Sequence, residues 1–272
     1  MVDRHWADVV VTEPVIEPVS LTEAKNRLRI SSTADDADLT GLIIAARRQV
    51  EKDLGSACLV ATTIDHWIDG YTSGLAITIP RWPLQSTGLT ITSYDEDDAA
   101  TVLAATEYLV DTVSRPGRVI LNSGSSWPST LRTHKSMVVR HVSGFSGAAK
   151  TVSGITRSST TATATTSTAH GYATGNRITI AGSNQSDYNG TFEITVTGAA
   201  AFTFTVANSP TTPATGTMTA TDLGIPEQYR LALMVLVAHW WRNREAVLTG
   251  TISKEIEFSY WALLSDRVVG LS

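Results

Sequence analysis

One cysteine, Cys58, leaves this chain of 272 residues without an internal disulfide and without any thiolate metal cage. It follows a helix-like stretch and reads as a buried thiol. Charge is sparse too: Asp, Glu, Lys and Arg make up 17% of the residues and the net charge is -5, so electrostatic capture of nucleic acid is excluded as the main business. No apolar run approaches the roughly 20 residues that span a bilayer. The opening "MVDRHWADVVVTEP" holds no uninterrupted apolar stretch of a signal peptide, so the expectation is synthesis in the cytoplasm and no membrane. The histidines, His5, His66, His134, His141, His170 and His239, show neither H-x-x-x-H nor H-E-x-x-H spacing, and no glycine-rich cradle for phosphate follows a strand. "GFSGA" at 144–148 lacks the G-x-S-x-G order, and "NSGSSW" at 122–127 has no strand-turn-helix context. "YDEDDAA" at 94–100 gathers four carboxylates but lacks the glycine and distal Glu of a calcium loop, and reads as a solvated loop tip. No catalytic residue, cofactor or metal site is expected, and an enzyme is disfavoured.

What is present is a globular composition, 42% hydrophobic, in a chain long enough for one large domain or two. "PVSLTEAKNRLRI" places Ser20 as an N-cap with Glu23 three residues on, a capping box that predicts a helix over 20–30. Leu39, Leu42, Ile43, Ala46, Val50 and Leu54 recur at helical spacing and predict a second helix over 36–54, with Arg47, Arg48, Glu51 and Lys52 on its solvent side and Gly55 as its stop. Between 60 and 142 the period becomes strand-like, in short β-rich runs that predict an antiparallel sheet. Within it, "SRPGRV" reads as a hairpin turn in which Pro116 fixes φ and Gly117 takes the positive φ that follows.

Residues 148–222 are rich in Thr, Ala, Ser and Gly, with strand alternation and turn signals at Gly175-Asn176, Asn189-Gly190 and Gly198. They predict an inserted barrel or sandwich of five or six strands. A third helix is expected over 226–247. There Leu231, Met234, Val235, Ala238 and Trp241 form one apolar stripe, and Leu233, Leu236, Val237 and Trp240 another, so the helix is expected to be buried on several sides. His239 reads as a hydrogen-bonded core or interface histidine. Trp240, Trp241, Arg242 and Arg244 are residue types that dominate protein interfaces, since indoles bury large areas and guanidinium forks grip carboxylates. A last short helix is expected in "EIEFSYWALLSDRVVGLS", where Phe258, Tyr260, Trp261, Leu264 and Val268 crowd an apolar surface that calls for a partner. Residues 256–272 are accordingly expected to be loosely packed in the free subunit.

In this order, "PVSLTEAKNRLRI", "DDADLTGLIIAARRQVEKDLG", "IPRWPLQSTGLTI", "SRPGRVIL" and "IPEQYRLALMVLVAHWWRNREAV" resemble the head-tail connector, or adaptor, family of tailed bacteriophages. The resemblance covers 15–147 and 223–272. It implies an α+β fold in which a helical adaptor scaffold, 1–147 with 223–272, carries an antiparallel sheet region and is interrupted by the small all-β domain at 148–222. That insertion departs from the family, whose members run from the "V..GF" stretch almost directly into the long helix. "HGYATGNRITIAG" and "DYNGTFEITV" look like a β-module of phage structural proteins, similar in pattern to the first catalytic cysteine half-domain of ubiquitin-activating enzymes, itself a non-catalytic barrel. The resemblance further implies a non-enzymatic virion protein at the head-tail interface. Its expected partners are the portal protein, neighbouring copies in a dodecameric ring, and a stopper, tail-terminator or tail protein below, with DNA passing through unbound. The alternative is a phage β-module that binds a host surface or glycan through Tyr172, Tyr188, Phe192 and Phe202.

Overall fold

The computed structural model describes residues 6–14, 16–69, 74, 76–243 and 254–265. The chain divides into two compact units, Met1–Val15 with Glu51–Phe145 and Ile16–Val50 with Ser146–Ser272. Mixed α and β structure is present in the chain, and sheet outweighs helix.

The first unit is built from strands β1 (Trp6–Thr12), β2 (Thr62–Ile68), β3 (Ala76–Ile79), β4 (Thr90–Tyr94), β5 (Ala100–Val102), β6 (Tyr108–Asp111), β7 (Gly117–Leu121) and β8 (Met137–Ser143). They form a five-stranded sheet in the order β1-β2-β8-β4-β5 and a three-stranded sheet in the order β3-β7-β6. Strand alternation sends Ile79, Ile91, Val119, Met137 and Val139 into one shared core. Along one row of the larger sheet, Asp8 lies opposite His66, His66 opposite Val139, and Val139 opposite Ile91.

The expected hairpin at 114–119 exists as β6 and β7, but for a different reason at its glycine. Gly117 has no positive φ; a Cβ there would meet the Cβ of Leu84 at 2.8 Å, so the position is dictated by close packing. The turn is held by Asp111, whose carboxylate accepts from the Ser114 hydroxyl at 2.6 Å, from Arg118 at 2.8 Å, and from the backbone N–H groups of Val113 and Ser114. The Ser114 and Arg118 bonds hold that carboxyl well below the usual carboxylate range.

In the second unit, helix α1 (Leu21–Leu28) and α2 (Asp36–Asp53, up to Val50) precede strands β9 (Lys150–Ser158), β10 (Thr161–Thr166), β11 (Arg177–Ser183), β12 (Gly190–Glu193), β13 (Thr195–Gly198), β14 (Ala201–Thr205) and β15 (Gly216–Thr221). Helices α3 (Glu227–Arg242) and α4 (Lys254–Leu264) follow. Among the described residues the seven strands form one sheet, ordered β12-β11-β15-β9-β10-β14-β13. Its two outer strands, β12 and β13, are separated in sequence by Ile194 alone, so the sheet must curl until its edges meet. The result is a nearly closed barrel around Ile155, Ile178, Ile180, Tyr188 and Phe202. Gly175 and Gly190 take positive φ at the turns read from the sequence.

The segments leading into and out of this barrel touch. The Gly147 N–H donates to the Asp222 carbonyl at 3.1 Å, and a Cβ on Gly224 would come within 2.5 Å of the Gly147 nitrogen. In α2, Arg47 is not on a solvent face as expected. It is buried, with its Nε 2.8 Å from Glu17, since a guanidinium can leave water when a carboxylate meets it.

Candidate interaction surface

Everything at the candidate surface depends on how α3 is anchored. At α1, Ser20 Oγ accepts from the Glu23 N–H at 3.1 Å while the Ser20 N–H donates to Glu23 Oε2 at 2.8 Å, completing the capping box. The other oxygen of Glu23 pairs with Arg230 of α3. Arg230 also reaches Glu227 at 2.8 Å and the Pro18 carbonyl at 3.2 Å, so one guanidinium ties the start of α3 to the start of α1.

From this anchor the helix exposes more apolar surface than the sequence suggests. Only the stripe Tyr229, Ala232, Leu233 and Val237 is fully buried, at the i, i+3, i+4, i+8 spacing of one helix face. Leu231, Met234, Val235 and Leu236 are half-buried. The expectation of burial on several sides is therefore not met within a single chain. At the C-terminal end, Asn243 caps the helix by donating its backbone and side-chain N–H groups to the His239 carbonyl at 3.1 and 2.9 Å. The same side chain lies 3.2 Å from His239 Nδ1, which gives that histidine its expected hydrogen bond.

Trp240 and Trp241 are half-buried and line a cleft of about 520 Å³, closed on the other side by Ala37, Asp38, Gly41 and Leu42 of α2. Gly41 faces open space, with no atom beyond its own helix turn within 4 Å of where its Cβ would be. Two indoles, a leucine and a bare helix backbone, with Asp38 beside them, suit an apolar or aromatic side chain that carries a donor or a positive charge. The α2 side of this cleft carried no signal at the level of sequence beyond a glycine inside a helix.

The other predicted residues divide. Arg242 is exposed at the helix end. Arg244 and Val268 lie outside the described residues, as does the side chain of Phe258. The expected C-terminal helix is present as α4, which packs on α3. Tyr260 and Leu264 are 6% and 2% exposed, so loose packing does not hold there, whereas Trp261 remains 49% exposed with its ring edge-on to Tyr260.

The aromatics considered for glycan binding are mostly core. Tyr188 and Phe202 are fully buried, and Tyr172 is buried with its hydroxyl donating to the Ala220 carbonyl at 2.9 Å. Burial, with help from the Asp222 carboxylate, pushes the Tyr172 phenol up to about 12. Phe192 alone is partly open. In the first unit, Ser143 Oγ lies 3.0 Å from His141 Nδ1, but both residues are wholly buried, so this pair offers no surface to a substrate. Among the described residues no cluster of three or more His, Cys, Asp or Glu is placed to hold a metal ion. The described helices include none long and apolar enough to cross a membrane.

No family model matches the sequence, and no curated protein matches it. Solved structures do. The fold is similar to a chain in the neck of an empty gene transfer agent particle, computed with C6 symmetry, at a TM-score of 0.53 and 15% identity over 97% of this chain and 98% of that one. It is equally similar, at 0.53 and 15%, to a chain in the virion of the native gene transfer agent particle. A chain in the neck of the native particle, computed with C12 symmetry, gives 0.50 and 13%, again over 97% and 98% of the two chains. The likeness is one of fold, and it runs from end to end of both chains.

Proposed function

We propose that this chain is a structural, non-enzymatic protein of a phage-like neck: a head-tail connector that forms a ring under the portal and links the DNA-filled head to the neck or tail. The observation that carries the reading is the end-to-end correspondence of fold with neck chains, 97% of one against 98% of the other. The cleft of Trp240 and Trp241 and the half-buried flank of α3 are the seat for the portal or a neighbouring copy, and the exposed Arg242 and Trp261 add to the same interface. A net charge of -5 suits a conduit that lets DNA pass without holding it. Residues 148–222 form an inserted β-domain on a scaffold made of 1–147 and 223–272. A glycan-reading role for that domain loses its readers, since Tyr172, Tyr188 and Phe202 are core.

The test uses DNA-filled, portal-bearing heads from a producer lacking this chain. Adding the purified protein is expected to allow tails to attach, and a Trp240→Ala, Trp241→Ala variant that melts like the parent is expected to lose most of that activity. Tails that attach equally well without the chain would defeat the reading; full activity of the double variant would move the seat elsewhere.

A further inference from the structure

Among the described residues the five-stranded sheet of the first unit has two open edges, and both carry exposed valines. At one edge β1 exposes Val9, Val10 and Val11 at 50%, 40% and 45%. At the other, all three residues of β5 are exposed, Val102 at 63%. Soluble folds blunt such edges with Lys, Pro or other charges, because unpaired N–H and C=O groups invite another strand. Strand β1 contains neither Lys nor Pro. Its one charge, Asp8, is drawn onto the sheet by His66 at 2.7 Å and Arg81 at 3.3 Å. A register shift falls only between Val10 and Thr12, at its far end, so Trp6–Val10 keeps unbroken register with β2. On β5, Leu103 N–H donates to the Ile91 carbonyl at 2.9 Å, so the alternation of an antiparallel pair turns the backbone groups of Val102 and Ala100 away from β4, toward the open side.

Direction decides what these edges can pair with. Each step from β1 through β2, β8 and β4 to β5 is antiparallel, so the two edge strands point the same way. Two copies related by a two-fold axis would pair β1 with β1, antiparallel, and stop at a dimer. Neighbours in a ring differ by a turn of only about 60° for six copies or about 30° for twelve, so strand direction is kept and unlike edges meet in parallel. We infer that β1 of one copy pairs in parallel with β5 of the next, continuing the five-stranded sheet from copy to copy; the inference rests on the ring reading above.

Cysteine pairs test the arrangement, because Cys58 is buried and the parent chain serves as its own control. Ala7 and Ala100 stand near the starts of the two strands, and Val11 lies four residues beyond Ala7, roughly 13 Å along the strand and out of disulfide reach from the same partner. Equal mixtures of Ala7→Cys with Ala100→Cys are expected to give a covalent dimer on mild oxidation, and a chain carrying both substitutions a ladder of multimers. Mixtures of Val11→Cys with Ala100→Cys are expected to give neither. Separately, Val102→Lys is expected to abolish assembly as read by light scattering, with its melting temperature unchanged. Linkage through Val11→Cys in place of Ala7→Cys, dimers of Ala7→Cys alone, or rings that survive Val102→Lys would each overturn the inference. Rings that form without any of these disulfides defeat the edge pairing and leave the ring reading standing. Monomers at every concentration defeat both.

Discussion

His141 has no exposed surface, and its Nε2 is buried without a partner, so protonating it would put a charge where nothing receives it. Burial pushes its pKa down to about 4; the neighbouring His66 adds to the fall, and Asp8 and Asp65 oppose it. Asp8 itself is held low, as the bond and charge of His66 and the charge of Arg81 outweigh its own desolvation. In the unfolded chain a histidine titrates near 6.5, so the unfolded state takes up the proton first as the pH falls. Stability from a neutral His141 is therefore complete above about 6.5 and is lost progressively toward pH 4, by an amount on the order of 3 kcal/mol. Urea unfolding of the parent at pH 7, 5 and 4 should show this slope, and His141→Phe should flatten it; an equal slope in the variant would assign the loss to other groups. Residue by residue, the sequence is legible where the cause is local. The Ser20 and Glu23 capping box needs only four consecutive positions, and it is there. Arg47 and Gly117 were misread because their causes, Glu17 and Leu84, lie thirty residues or so away in the chain.

The elements follow the same rule. The helices predicted over 20–30 and 36–54 appear as Leu21–Leu28 and Asp36–Asp53, because spacing and caps are written locally. The third reaches Arg242, and the residues from 244 to its expected end at 247 lie outside those described. Strand β1 escaped notice because it is exposed at an edge, where its run of three valines shows none of the alternation that marks a half-buried strand. The cleft was unreadable for a plainer reason: its two walls come from α2 and α3, some two hundred residues apart in sequence. The strands from Lys150 to Thr221 were visible through composition and turns, though their closure into a barrel through Ile194 was not. Since its core is drawn from its own strands and its two ends meet at Gly147 and Asp222, deleting 149–221 behind a short Gly-Ser bridge should leave the rest folded. Circular dichroism should then retain the helical signal of α1 to α4 with a cooperative melt. Collapse of the remainder would show that the helices depend on the barrel.

At the scale of the molecule, α4 buries Tyr260 and Leu264 within the free subunit, and its exposed Trp261 belongs to the proposed interface. Ending the chain after Ser265 keeps Tyr260 and Leu264 in place and should leave the melting temperature nearly unchanged. Ending it after Lys254 removes both and uncovers α3, and should lower stability by about 2 to 5 kcal/mol or cause aggregation, as read by thermal melting and light scattering. Equal melting of the two truncations would mean that α4 contributes nothing to the subunit. The meeting of Gly147 with Asp222 has a consequence of another kind. Because the backbone entering the barrel and the backbone leaving it are neighbours in space, the segment between them has the geometry of a cassette in the genetic sense: recombination at those two points could add it, drop it or exchange it for another and still leave flanking ends that a short link joins.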